Sequence, residues 1–309
     1  MIPILIEKLS AMILLVAVGY GAVRVHVLKS EDARPLSALS VKILMPCLVI
    51  DVFQIEVTPE KLVFFLAAAG TGMAVYLLWI VVAAVIKRPL GLDPVEQATL
   101  IYSNVGNLIL PLVSMVLGEE MLFYAGAMQI VFHLCTWTHA DMLLSGTKRV
   151  DVKRILRNPN VIALIVGLIC LFTGLRVPGV IATAVSQLAG TLGPISMLLV
   201  GMVLAESDLA HFLRSGRIWL VLCGRLIVFP LLAMGALWIS RVPVLFPELR
   251  PVLQVVFLAL SAPPASTVSQ LAVLYEHDAE EAGALNVLGT IACLVTLPLM
   301  AWVFEMIFM

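Results

Sequence analysis

IYSNVGNLILPLV (residues 101–113) interrupts a long apolar run. Asn104, Gly106, Asn107 and Pro111 fall within eight positions there. These residues are poor helix formers, and in lipid a backbone break leaves N–H and C=O groups without water to bind. Such a break is tolerated only when it is buried in protein or lines a wet cavity. The stretch therefore reads as a deliberate interruption of a membrane helix.

Composition puts the surrounding chain in lipid. Of 309 residues, 61% are hydrophobic and 13% charged, and the mean hydropathy is +1.08. Soluble domains are about 45–50% apolar and about 25% charged. The fold class is an all-α polytopic membrane protein. The net charge of −1 carries no information on partners, because the charges gather in loops. No basic tract suits nucleic acid. Cys47, Cys135, Cys170, Cys223 and Cys293 lie in apolar stretches without a CxxC pair and read as buried small hydrophobes. The first apolar segment has no basic n-region and no cleavage site, and is expected to be retained.

About 20 apolar residues cross a bilayer core as a helix. Breaks at charge and turn clusters divide the chain into ten segments: 3–23, 36–54, 61–86, 95–117, 120–145, 158–175, 179–204, 216–239, 250–274 and 280–307. Loops after the odd segments carry twelve Lys and Arg, namely Arg24, Lys29, Arg34, Lys87, Arg88, Lys148, Arg149, Lys153, Arg154, Arg157, Arg214 and Arg217. Loops after the even segments carry four: Lys61, Arg176, Arg241 and Arg250. The positive-inside rule makes the odd loops cytoplasmic and both termini extracytoplasmic.

The halves 1–145 and 158–309, joined by a linker at 146–157, resemble each other. An offset of 148 lays Gly19 on Gly167 and Pro46 on Pro194. An offset of 157 lays YAGAMQIV (124–131) on EAGALNVL (281–288), pairing Gln129 with Asn286. The same offset pairs Asn104 with Ser261, Gly106 with Pro263 and Asn107 with Pro264. Five spans per half invert the second copy. Matched breaks in inverted halves point to a transport site near the midplane. Two half-helix N-termini meeting there favour an anion.

The candidate site follows from these pairs. Substrate contacts are expected at Asn104, Gly106, Asn107, Pro111, Ser261, Pro263 and Pro264. Ser266 and Thr267 are expected to cap the half-helix that follows, and Gln270 to reach substrate or a coupling ion one turn on. Gln129, Asn286 and His133 are expected to line the cavity beside the breaks. His133 serves either as a packed hydrogen-bonding group or as a proton relay. His133 and His139 are six apart and do not make a metal pair. Lys42, one turn before Pro46, either attracts an organic anion or snorkels to the interface. Asp51 either binds a cation or reaches outer water. A deep Arg225 needs a carboxylate or carbonyls, with Glu206 and Asp141 as candidate partners.

GYGAVRVHVLKSEDARPLSALSVKILMPCLV (19–49), YSNVGNLILPLV (102–113), RNPNVIALIVGL (157–168), LGPISMLLVGMVLA (192–205) and SAPPASTVSQLAVLYEHDAEEAGALNVLGTIACLVTLPLMA (261–301) resemble the auxin efflux carrier family, whose bacterial branch includes malonate and malate permease-like members. The resemblance covers the chain and implies the fold of bile-acid symporters and sodium/proton antiporters. It implies a scaffold of spans 1, 2, 6 and 7, a transport domain of spans 3–5 and 8–10, an elevator motion and a homodimer. The family's crossed breaks map to Asn104, Gly106, Asn107 and Pro111, and to Pro263 and Pro264. Ile109 stands where a glycine is common. The long loop of plant members is replaced by about fourteen residues, 146–159.

The expected function is secondary transport of a small organic anion, such as malonate, malate or an auxin-like acid, across the inner or plasma membrane. Sodium or proton coupling, an anion channel and a sodium symporter of another solute stay open. An intramembrane hydrolase using Asp51, Asp141 or His133 is the remote alternative. No GxSxG, P-loop or Cys/His metal spacing is present, and no cofactor or metal is expected.

Overall fold

The computed structural model describes residues 2–55, 58–147, 153, 156–206 and 212–309. Lys148, Arg149 and Arg154 of the charge count lie outside the described residues. Helix dominates, and no strand occurs among the described residues.

Helix α1 is Ile2–Arg24 and α2 is Ala33–Val52. Helix α3, Pro59–Leu90, starts on Thr58, whose Oγ1 accepts from the Lys61 amide at 3.2 Å. It stops at Gly91, whose φ of 60° is the left-handed conformation that glycine adopts without a Cβ clash. Asp93 then opens α4, Pro94–Ile101, with a reciprocal capping box to Glu96. Helix α5 spans 105–117 and α6 spans 119–145. The second half holds α7 (Pro159–Thr173), α8 (Gly179–Glu206), α9 (Gly216–Ser240), α10 (Arg250–Leu260), α11 (Ser266–Leu274) and α12 (Ala279–Phe308).

Among the described residues, five helices are long and apolar enough to cross a membrane: α2, α3, 179–202 of α8, α9, and 280–308 of α12. The segments 95–117 and 250–274 are interrupted at 102–104 and 261–265, within the stretches read as breaks. The expected segment 158–175 is a 15-residue helix. One-turn π segments at 40–44, 105–109 and 224–228 stand directly before Met45–Pro46, Leu110–Pro111 and Phe229–Pro230. Proline lacks the N–H and its ring crowds the carbonyl four residues back, and a widened turn absorbs both defects.

Packing forms two groups. In one, α1 lies along α8, and both α7 and α8 pack on α2. The first contact is backbone to backbone: a Cβ on Gly201 would stand 2.0 Å from the Val16 carbonyl oxygen, and one on Gly19 2.1 Å from that of Leu198. Small residues permit this approach where lipid offers no hydrophobic drive between helices. In the other group, α3, α5 and α10 pack on α6, and α11 packs on α12. Exposed Leu14, Val18, Val81, Val85, Ile239 and Val295 fit a surface solvated by acyl chains. Cys223 is exposed rather than buried, and Cys47 and Cys170 are half-buried, because an apolar side chain in lipid has no need of an interior.

Candidate functional site

The two interrupted helices meet at their breaks. Helix α4 ends at Ile101, and Tyr102 turns extended with φ −96° and ψ 122°. Helix α10 ends at Leu260, and the chain stays non-helical to Ala265. The two segments run antiparallel, with Ser103 opposite Pro264. The Asn104 amide donates to the Pro263 carbonyl at 2.8 Å, and the Ala265 amide to the Tyr102 carbonyl at 3.0 Å. Pro263 and Pro264 have no N–H to satisfy, so a short crossing leaves few orphan donors. The Pro264 carbonyl accepts from Asn286 Nδ2 at 2.8 Å. Gly289, on the next turn of α12, lets that helix approach: a Cβ there would lie 2.4 Å from Pro264 Cδ.

Arg225 closes the crossing from behind. It is fully buried. Nη2 donates to the carbonyls of Leu260 at 2.7 Å and Ala262 at 2.8 Å, and Nη1 to Leu100 at 3.2 Å and Ile101 at 3.4 Å. One guanidinium thus serves the C-terminal carbonyls of both α4 and α10, where the helix dipoles are negative. It also sits 5.0 Å from the Trp79 ring centroid, in cation–π range. These carbonyls, rather than Asp141, are its partners; the Glu206 side chain lies outside the described residues. Asp141 accepts from the Tyr275 hydroxyl at 2.7 Å. Tyr76 and Ser103 hydroxyls bond at 2.8 Å, and the Tyr102 hydroxyl lies 2.8 Å from His139 Nδ1.

A 170 Å³ cavity opens against the crossing. Asn104, Ser266, Gln270, Asn286 and Thr290 line one side, and Ser37, Ser40 and Ser196 lie on the facing wall of α2 and α8. Ser40 is 3% exposed and its Oγ has no protein partner. A second cavity of 620 Å³ lies at the other end of α2, lined by Asp51, Lys61, Glu119, Glu120, Ser186 and Pro194.

The expected residues divide accordingly. Asn104, Ser266, Gln270 and Asn286 reach the smaller cavity. Gly106, Ser261, Pro263 and Pro264 are buried in the crossing itself. The side chains of Asn107 and Pro111 lie outside the described residues. Thr267 is half-buried and lines neither cavity. The expected caps differ: Ala265 is the N-cap of α11, and no side chain caps it. Ser266 and Thr267 are its first two helical residues, so neither hydroxyl stands at the cap position. Gln129 and His133 pack behind Gly106, with their Nε2 atoms 3.0 Å apart. Lys42 is exposed and Pro46 half-buried, and neither lines either of these two cavities. Asp51 belongs to the larger cavity, distant from the crossing along α2. Ser40, Ser196 and Thr290 escaped sequence reading. Thr290 alone carried a signal, four residues after Asn286 on one helical face.

Asp93, Glu96 and Glu281 bring carboxylate oxygens within 4.8 Å of one another. Glu96 is committed to Arg217, which also donates to the carbonyls of Leu90 at 2.6 Å and Gly91 at 2.8 Å. The capping box and this ion pair engage Asp93 and Glu96.

A family of membrane transport proteins matches residues 4–151 and 142–301, nearly the whole length. The chain belongs to that family, the one of the auxin efflux carriers. It is therefore a multi-pass protein of a transporter family, and its broken helices sit where such a protein needs polar backbone. No curated protein matches the sequence.

Proposed function

We propose that this chain is a secondary carrier for small organic anions, with its substrate site in the 170 Å³ cavity at the crossing. The observation that carries the reading is Arg225. A fixed positive charge sits behind the crossing, bonded to neutral carbonyls rather than to a carboxylate. The dipoles of the two helix ends offset part of that charge, and the remainder gives the crossing a positive potential. The first turn of α11, which no side chain caps, adds the positive end of a helix dipole. Asn104, Asn286 and Thr290 contribute neutral polar atoms. The volume suits acids of three or four carbons such as malonate or malate, and is tight for an auxin-like ring acid.

The remaining architecture is proposed with it. Ten spans form two inverted five-helix repeats, 1–145 and 158–309, inside the inner or plasma membrane, with termini outside. Helices α1, α2, α7 and α8 act as scaffold in a homodimer. The rest carries the crossing as an elevator between the two cavities, which lie at opposite ends of α2. The packing of α1 on α8 and of α7 on α2 supports that division.

The test is counterflow in proteoliposomes, with labelled malonate outside and malonate, malate, acetate or indole-3-acetate inside. Saturable exchange is expected, with loss of at least about tenfold in apparent affinity for Asn104→Ala, as for a lost hydrogen bond to a charged group. Wild-type exchange with no anion, or undiminished exchange in the variant, overturns the reading.

A further inference from the structure

The polar pair behind the crossing is not used by this anion site. Gln129 is 2% exposed and His133 7%. They stand four residues apart on one face of α6, at the level of Gly106. A Cβ on Gly106 would lie 3.1 Å from Gln129 Nε2. The two Nε2 atoms are 3.0 Å apart, while Gln129 Oε1 and His133 Nδ1 have no protein partner. Two orphan polar atoms at this depth carry a real cost, so their placement needs a reason.

We infer that Gln129 and His133 form a proton-binding site that is loaded together with the anion, so that the carrier moves an anion and a proton as a pair. The inference rests on the carrier reading above. The chemistry is that of an amide facing an imidazole. With Gln129 Nε2 donating, the imidazole Nε2 is a bare acceptor, and the neutral ring keeps its hydrogen on Nδ1. When the ring takes a proton from hydronium, leaving water, both ring nitrogens become donors. A half-turn of the Gln129 amide then presents Oε1 to Nε2–H. The two atoms that change role are Oε1 and a ring nitrogen, and Oε1 is free to accept. Glutamine serves both protonation states; an aliphatic residue serves neither.

Titratable and charged groups on the packed helices bear on this. They are Arg34, Lys42, Cys47 and Asp51 on α2, Glu60, Lys61, Tyr76, Lys87 and Arg88 on α3, and Glu96 on α4. Helix α10 offers Arg250; α5 has none. On α6 itself stand Glu119, Glu120, Tyr124, Cys135, His139 and Asp141. Among the described residues, none of these hydrogen-bonds the His133 ring. An imidazolium there has no carboxylate partner and shares the region with Arg225. A bound anion across the crossing relieves that excess of positive charge. By linkage, the proton then raises anion affinity by the same factor as the anion raises proton affinity.

The test uses the full chain in proteoliposomes with a trapped pH dye. Net uptake of labelled malonate into liposomes loaded with no anion should acidify the lumen. Its apparent affinity should rise on the order of tenfold, a usual size for coupled sites, as outside pH falls from about 8 to about 5, the range of imidazole titration. His133→Gln should give saturable anion exchange whose rate no longer follows pH, and no lumen acidification. The wild-type dye signal stands even if that variant does not fold. Saturable net uptake by the wild type without acidification overturns the proton site and leaves the carrier reading intact. A variant with wild-type pH dependence does the same. Absence of exchange with every anion overturns both.

Discussion

Arg225 draws its role from four backbone carbonyls on two separate helices. A buried acceptor left unsatisfied costs about 1–3 kcal/mol, so Arg225→Met should remove about 4 kcal/mol or more. That is a large part of the marginal stability of a folded chain. Arg225→Lys should recover part of it, since an ammonium keeps the charge but lacks the planar fork that reaches both helix ends. Thermal unfolding in detergent measures both variants. Equal stability of Arg225→Met and wild type would refute the stapling role. Ser40 makes the opposite case. Its hydroxyl is buried without a protein partner on the cavity wall, where a ligand or water can serve it.

Helices α10 and α11 are separated by five residues, Ser261–Ala262–Pro263–Pro264–Ala265. Replacing both prolines by alanine restores two donors and makes the stretch a good helix former. The double variant Pro263→Ala, Pro264→Ala is expected to let α10 run toward α11 and dissolve the crossing. The Asn104 amide, now bonded to the Pro263 carbonyl at 2.8 Å, should then lose protection from hydrogen exchange, and counterflow should fall to background. Native protection of that amide in the double variant would mean that the prolines do not hold the break open. The positions of both breaks were legible in the sequence, because proline, glycine and asparagine mark backbone that cannot continue a helix. The missing cap was not. Ser and Thr near a helix start are good caps in general, but here the chain enters α11 from an extended Ala265, and the two hydroxyls fall one and two positions too late.

Across the whole molecule, the contact between α1 and α8 rests on Gly19 and Gly201, whose absent side chains let two backbones touch. Gly201→Ala should destabilise by about 2 kcal/mol, as forced overpacking does. Gly21→Ala, with nothing within 4 Å of the added carbon, should be neutral or gain up to about 1 kcal/mol from helix propensity. Detergent melting curves separate the two; equal shifts would show that α1 does not depend on close approach to α8. The long helices α2, α3, α8, α9 and α12 could be read from apolar length alone.

The amino-acid sequence by itself determined that the chain is a helical membrane protein, where its helices break, and which polar residues accompany the breaks. Those follow from local properties: transfer cost, proline's missing donor, glycine's freedom. Only the tertiary structure decided that Arg225 binds carbonyls, that Ser40, Ser196 and Thr290 reach the cavity, and that Lys42 does not. Every residue carries a carbonyl, so an acceptor made of backbone has no signature in residue identity. Which polar side chains share a cavity depends on how helices distant in sequence lie against one another.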